Sequence, residues 1–240
     1  MTTLVVGASG ATGRLLVEQL LGRGESVRVI ARTDSKLSPT LENHENISIT
    51  HASLLDMSDA EMARHVRGCD AVASCLGHNV SFKRLYGQPR RLVTDAVRRL
   101  CNAIKSNRPE VPVKFVLMNT AANSNRDLDE PVSLAQKCVI WLLRVLLPPH
   151  ADNEDAADYL RTAIGQGDRA IEWVAVRPDG LIDADTVTGY EVYASPVRSA
   201  IFAAGSTSRI NVSHFMAELI ENNATWREWK GRMPVIYNKL

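Results

Sequence analysis

Short apolar runs alternate along the chain with longer stretches in which apolar residues recur every three or four positions. The runs predict strands over Thr3–Val6, Ser26–Ala31, Ile47–Ala52, Ala71–Cys75, Val113–Met118 and Glu172–Val176. The longer stretches predict helices over Ala11–Arg23, Gly87–Ser106, Pro131–Leu147 and Asn153–Ile164, the last two separated by a break at Pro148-Pro149. In the first of these helices, Leu15, Leu16, Leu20 and Leu21 recur at helical spacing. Strand and helix in strict alternation imply an α/β fold, a doubly wound parallel sheet with helices on both faces. The final stretch is less regular. Short strands at Tyr190–Tyr193 and Arg209–Val212, a helix over Ser213–Glu221 and a terminal strand at Pro234–Tyr237 read as a small C-terminal subregion serving the substrate side. No repeat or linker interrupts residues 1–240, so a single domain is expected, its second half (from about residue 120) supplying the substrate contacts.

The first strand runs into VVGASGATG, and the first helix opens inside that motif. The context predicts a Rossmann-type dinucleotide site. Gly7 permits the tight turn, Gly10 the close approach of a pyrophosphate, and Gly13 the packing of helix on sheet. The amides of Ala11, Thr12 and Gly13 at the helix start favour phosphate, and the Ser9 and Thr12 hydroxyls add donors. The second strand ends in VIARTD, placing Arg32 where an NAD site usually places a carboxylate. A guanidinium suits a 2′-phosphate, so NADP is expected as cofactor over NAD, with Arg14 and Lys36 near enough to assist and Asp34 as a countervailing charge.

Composition narrows the partners. With 45% apolar and 23% charged residues the chain can build an ordinary core, and a net charge of +1 makes no electrostatic case for nucleic acid or a membrane surface. Cys69, Cys75, Cys101 and Cys138 form no CxxC pair, three of them lie in apolar runs, and no histidine pair has metal-ligand spacing. The N-terminus enters a strand directly, without the features of a secretory leader, so a reduced, cytoplasmic protein is expected. The apolar segment Cys138–Pro149 is shorter than the roughly 20 residues of a membrane-spanning helix and reads as a largely buried helix. The expected partner is a small-molecule substrate, and the expected state a monomer or homodimer.

Five motifs occur in order: GASGATG, the arginine after strand two, CLGHN after strand four, MNTAA after strand five, and VRPDGL after strand six. With SRINVSHFMAELI downstream, the chain resembles the atypical short-chain dehydrogenase/reductases, in the NAD(P)H-binding group that includes biliverdin-IXβ/flavin reductase and the NmrA-like proteins. The resemblance implies an adenine pocket beginning at Ala52, Ser53 and Leu54, where the family usually has Gly-Asp and where Asp56 would have to substitute. It also implies a ribose wall at Cys75, Leu76 and Gly77. Asn119 and Thr120 would stand at the position of the family's active-site serine, and Arg177 and Pro178 would lead a loop along the nicotinamide.

One element of the family is absent. No tyrosine is followed four residues later by lysine; Tyr86 with Arg90 precedes strand five, and PPHADNEDAADYL offers only His150 and Glu154 near the expected place. Alcohol–ketone chemistry by a tyrosine acid is therefore not expected. Thr120 and His78 remain as catalytic candidates, the first as a hydroxyl donor, the second as a proton carrier at the carboxyl end of strand four. Hydride transfer to a small conjugated acceptor such as a flavin or quinone needs little more than orientation. A non-catalytic NADP-binding sensor and an epimerase or dehydratase remain open alternatives.

Overall fold

The computed structural model describes all residues except 36, 79–88, 129, 131–132 and 240. Its strands are β1 (Thr2–Val6), β2 (Ser26–Ala31), β3 (Ile47–His51), β4 (Ala71–Ser74), β5 (Val113–Met118), β6 (Ile171–Pro178), β7 (Gly180–Ile182), β8 (Tyr190–Tyr193), β9 (Ser206–Ser208) and β10 (Val235–Asn238). Its helices are α1 (Ala11–Gly22), α2 (Pro39–Glu42), α3 (Asp59–Val66), α4 (Leu92–Asn107), α5 (Leu134–Leu146), α6 (Pro148–Tyr159), α7 (Arg209–Glu221) and α8 (Asn223–Trp229), with a π-turn at Leu160–Ile164. The main sheet has the order β3-β2-β1-β4-β5-β6-β10-β8, and β7 pairs with β9 alongside it. All pairings within the main sheet are parallel except that of β8 with β10.

Residues that alternate along each strand go to opposite faces. Leu4, Val6, Val72, Phe115, Leu117 and Trp173 pack with Met62 and Val66 of α3, Val97, Leu100 and Ile104 of α4, and Ala157 of α6. Val5, Ala73, Val116, Val174 and Val176 pack on the other side with Leu16 and Leu20 of α1 and Phe215, Met216 and Leu219 of α7. The strands thus bury both faces, which is why they read as continuous apolar runs rather than alternating ones.

Four expectations are corrected. The apolar segment Cys138–Pro149 does not form a largely buried helix, because Trp141, Leu142 and Leu146 of α5 are exposed. Arg209–Val212 is the first turn of α7 rather than a strand: Ser208 caps it, its Oγ accepting from the Asn211 amide at 3.3 Å, and Val212 is buried on the helix's sheet-facing side. The terminal strand does not belong to a separate subregion, because β10 lies parallel to β6 and extends the main sheet. Pro148 and Pro149 do not leave a gap before a helix at Asn153 but open α6, where a proline's missing N–H costs nothing. The residues predicted to begin the helices at Gly87 and Pro131 lie outside the described residues; the described helices begin at Leu92 and Leu134. Among the described residues no helix is long and apolar enough to cross a membrane.

A buried guanidinium joins three distant segments. Arg177, wholly buried at the end of β6, donates from Nε to the Met233 carbonyl at 2.6 Å. Its Nη1 reaches the Asn123 carbonyl at 2.8 Å, and its Nη2 reaches Glu130 Oε1 at 2.7 Å and the Ala194 carbonyl at 3.3 Å. The resemblance placed Arg177 along the nicotinamide; its donors are instead spent on the protein.

Candidate functional site

Register aligns the carboxyl ends of the central strands. Val6 stands opposite Ile30 and Ser74, Ser74 opposite Leu117, and Met118 opposite Val176. The segments that follow (Gly7–Gly10, Arg32, Cys75–His78, Asn119–Thr120 and Pro178) therefore emerge along one edge. Chain order runs outward from β1 through β2 to β3 and, on the other side, from β4 through β5 to β6. The crevice at such a reversal is where open α/β sheets take their ligands.

The three motif glycines do different work. Gly7 has φ +79°, and a Cβ there would lie 2.6 Å from the Cys75 carbonyl, so the turn crosses the end of β4 at backbone contact. A Cβ on Gly13 would lie 2.2 Å from the Gly7 oxygen, because α1 starts directly beneath its own turn. Gly10 is otherwise: its backbone is extended, and an added Cβ would meet only the Gly7 oxygen, at 3.2 Å. The space in front of Gly10 is open and faces a cavity. The N-cap of α1 has no side-chain hydrogen bond and its first turn has no acidic residue, so the helix presents uncapped amides there.

That cavity encloses about 610 Å³. Gly7, Ser9 and Gly10 form one end, Arg32, Asp34 and Ser35 the rim beyond β2, and Ser53, Leu54 and Leu55 the wall beyond β3. Cys75, Leu76, Gly77 and His78 line the opposite side with Pro89 and Leu92. Burial pushes the Cys75 thiol up to about 12, so it is an uncharged part of the wall. Arg99 of α4 fixes the Leu54–Met57 segment, donating to the carbonyls of Leu54 at 2.8 Å, Leu55 at 2.5 Å and Met57. Ala11, Thr12, Gly13 and the exposed Arg14 and Asp56 are not part of this lining, and Lys36 lies outside the described residues.

His78 is nearly buried and its Nε2 lies 2.7 Å from Asp152 Oδ2. Asp152, on α6, also accepts from the Val93 and Thr94 amides at 2.8 and 2.9 Å, capping α4 from a neighbouring helix. Burial would raise the Asp152 pKa, but the bonds from His78, Thr94 and Val93 outweigh it and hold the carboxyl below its ordinary value. The carboxylate thus fixes both the imidazole and the start of α4.

Asn119 and Thr120 follow β5 into a second cavity of about 330 Å³, with Ala122, Pro178, Asp179, Gly180, Leu181, Ala200 and Ala204. The Asn119 side chain is held at both ends: Nδ2 donates to the Asn153 carbonyl at 2.8 Å, and Oδ1 accepts from the Thr120 amide at 2.9 Å. Thr120 Oγ accepts from the Ala122 amide at 3.3 Å, which leaves its proton to donate. Asp179 accepts from the amides of Gly180 at 2.9 Å and Gly205 at 2.7 Å, tying the Ala200–Ala204 wall to β7. His150 and Glu154 sit apart from both linings, 3.6 Å from one another beside Arg144, and Tyr86 lies outside the described residues.

Apart from Ala11, Thr12 and Gly13, which line neither cavity, the sequence-predicted residues fall into two sets. Gly7, Ser9, Gly10, Arg32, Ser53, Leu54, Cys75, Leu76, Gly77 and His78 share the larger cavity; Asn119, Thr120 and Pro178 share the smaller. Sequence reasoning missed Pro89 and Leu92, which reach the wall from a crossover with no motif, and Ala200 and Ala204, whose small apolar side chains carry no signal.

Residues 7–223 match the NAD(P)H-binding family. The chain belongs to that family. No curated protein matches the sequence. Among solved structures, the fold is similar to a short-chain dehydrogenase/reductase from Veillonella parvula in complex with NADP (14% identity, TM-score 0.70, covering 99% of this chain and 94% of that one). It is also similar to an anaerobillin reductase from Escherichia coli (16%, 0.68, 99% and 97%). A third is a protein provisionally assigned as an NADH-flavin reductase from Streptococcus pneumoniae (18%, 0.67, 100% of each). The fold is thus the Rossmann type expected, and a nicotinamide dinucleotide is the family's ligand.

Proposed function

We propose that this protein is an NADPH-dependent reductase that passes hydride to a small conjugated acceptor, a flavin or quinone, without a tyrosine–lysine pair. The observation that carries the reading is the pair of cavities along one sheet edge, a long one ending at an uncapped helix start and a short one at the Thr120 hydroxyl. A dinucleotide fits the first: the Gly10 opening and the α1 amides suit its pyrophosphate, Arg32 a 2′-phosphate, Ser53–Leu55 with Pro89 and Leu92 the adenine, and Cys75–Gly77 the ribose. When bound, the dinucleotide supplies the hydride. Asn119 and Pro178 would border its nicotinamide, the Thr120 hydroxyl would hold the acceptor's carbonyl, and His78, anchored by Asp152, would hold the proton needed after hydride arrives. The neighbour in complex with NADP and the one assigned as an NADH-flavin reductase support the coarser part of this reading, a nicotinamide-dependent reductase.

The test is NADPH oxidation with riboflavin, menadione and simple aldehydes as acceptors. Turnover with the conjugated acceptors is expected, and Thr120→Ala should lower kcat/KM about 10- to 100-fold while leaving the NADPH Kd unchanged. If no acceptor oxidises bound NADPH above background, a non-catalytic NADP-binding sensor replaces the reductase. If turnover survives Thr120→Ala intact, the acceptor does not use that hydroxyl.

A further inference from the structure

Asp179 is the one charged residue in the described lining of the smaller cavity. It stands between β6 and β7 and is almost fully buried, with 8% of its surface exposed. A backbone amide holds each of its oxygens, that of Gly180 on Oδ1 at 2.9 Å and that of Gly205 on Oδ2 at 2.7 Å. A carboxylate accepts both bonds without needing a proton of its own. Among the described lining residues none is cationic. Arg177, two residues earlier, is paired with the buried Glu130 at 2.7 Å. Arg198 is exposed and lies over the Tyr237 ring at 5.4 Å. Neither arginine lines the cavity, whose remaining wall is alanine, glycine, proline and leucine with the Asn119 and Thr120 side chains.

We propose that Asp179 is a specificity-determining residue that sorts acceptors by charge, admitting cationic and neutral conjugated molecules and turning anionic ones away; the inference rests on the reading of this cavity as the acceptor site. A carboxylate enclosed by apolar wall is screened little by water or salt, and its field reaches a molecule in the cavity without touching it. Arg177 and Glu130 are neutral as a pair, so the charge felt inside is that of Asp179. An acceptor carrying a sulfonate, phosphate or carboxylate would bring a second anion into the cavity with no cation to pair it, and that is costly. One carrying an ammonium or a ring cation meets its counter-charge there. The same carboxylate ties the Ala200–Ala204 wall to β7, but a tie alone treats acceptors of every charge alike.

The test uses three two-ring aromatics of one size that take no hydride: naphthalene sulfonate, naphthalene carboxamide and naphthylmethyl trimethylammonium. Each is titrated calorimetrically into the NADPH-loaded protein and used as an inhibitor of menadione reduction. The cation is expected to bind about 30- to 100-fold more tightly than the anion, with the carboxamide between them. Asp179→Asn keeps the side chain's shape and one accepting oxygen, its melting temperature reports the fold, and it is expected to narrow the cation-to-anion ratio at least about tenfold. Should that variant not fold, Ala204→Lys places an opposing charge on an exposed lining residue, breaks no bond of Asp179, and is expected to narrow the ratio as well. A wild-type ratio within about threefold of unity, or one that survives Asp179→Asn or Ala204→Lys unchanged, overturns the proposal; if menadione is still reduced, the reductase reading stands. If NADPH binds but menadione is not reduced and none of the three aromatics binds, the reductase reading falls and the charge rule with it.

Discussion

The motif glycines lend themselves to a contrast in which one substitution weakens binding and another weakens the fold. At Gly10 the backbone is extended (φ −77°, ψ 160°), a conformation any residue adopts, and a new Cβ would sit 3.2 Å from one carbonyl oxygen. Gly10→Val therefore costs a mild squeeze and a poorer N-cap, about 1 kcal/mol, partly offset by about 0.4–1 kcal/mol from a stiffer unfolded chain. For a chain of this size the melting temperature should move by no more than about 4 °C. The added side chain projects into the cavity before the α1 amides. Displacing the pyrophosphate from two such amides, each worth about 1.5–3 kcal/mol to a charged group, should weaken NADPH at least about 100-fold. At Gly13 a Cβ would lie 2.2 Å from the Gly7 oxygen and 2.8 Å from its carbon, both backbone atoms that cannot step aside. Gly13→Ala should cost at least about 3 kcal/mol and lower the melting temperature by roughly 6–12 °C. Thermal unfolding and calorimetric titration on the same three proteins separate the effects. Wild-type affinity in Gly10→Val would refute the phosphate site, and wild-type stability in Gly13→Ala would refute the packing argument.

Two further outcomes follow from the buried charges. Arg177→Met strands Glu130, whose side chain is almost fully buried, and should lower stability by about 3–5 kcal/mol in denaturant titration; adding Glu130→Leu should recover part of the loss, and a double variant no better than the single would show that the ion pair is not the cause. The Asp152 carboxyl titrates below its unfolded value in the native protein, so its contribution is complete above the unfolded carboxylate range, near pH 4, and disappears as pH falls through the depressed native value. Asp152→Asn should be less stable than wild type at neutral pH and should flatten the acid limb of the stability profile; an unchanged limb would mean that other carboxylates govern it.

Much of the architecture was legible because the strands bury both faces and the first glycine turn joins a strand to a helix in one short motif. The larger cavity was legible in the same way: Gly7, Arg32 and Cys75–His78 each directly follow a strand, Gly10 closes the turn that Gly7 opens, and strand ends in a parallel sheet converge. What escaped came from contacts distant in sequence. Asp152 caps a helix that starts about 60 residues earlier, a partnership no local pattern announces. Arg177 looked like a ligand contact because it stands beside Pro178 at a strand end, yet its partners at Asn123, Glu130, Ala194 and Met233 turn it inward. Arg209–Val212 read as a strand from its alternation, and only the cap at Ser208 shows that the helix has already begun.

The Arg177 guanidinium has a kinetic consequence as well as a structural one. It holds the loop before Glu130, the segment at Ala194 and the entry to β10 in one grip, and its partner Asn123 directly follows Ala122, a lining residue of the small cavity at Thr120. The Ala122 side of that cavity cannot swing outward without breaking the bond between Asn123 and Arg177. Molecules would be sorted on that side by whether they fit a fixed mould. Selectivity would then be rewritten one methyl group at a time, at Ala122, Ala200 and Ala204, rather than by loosening a loop.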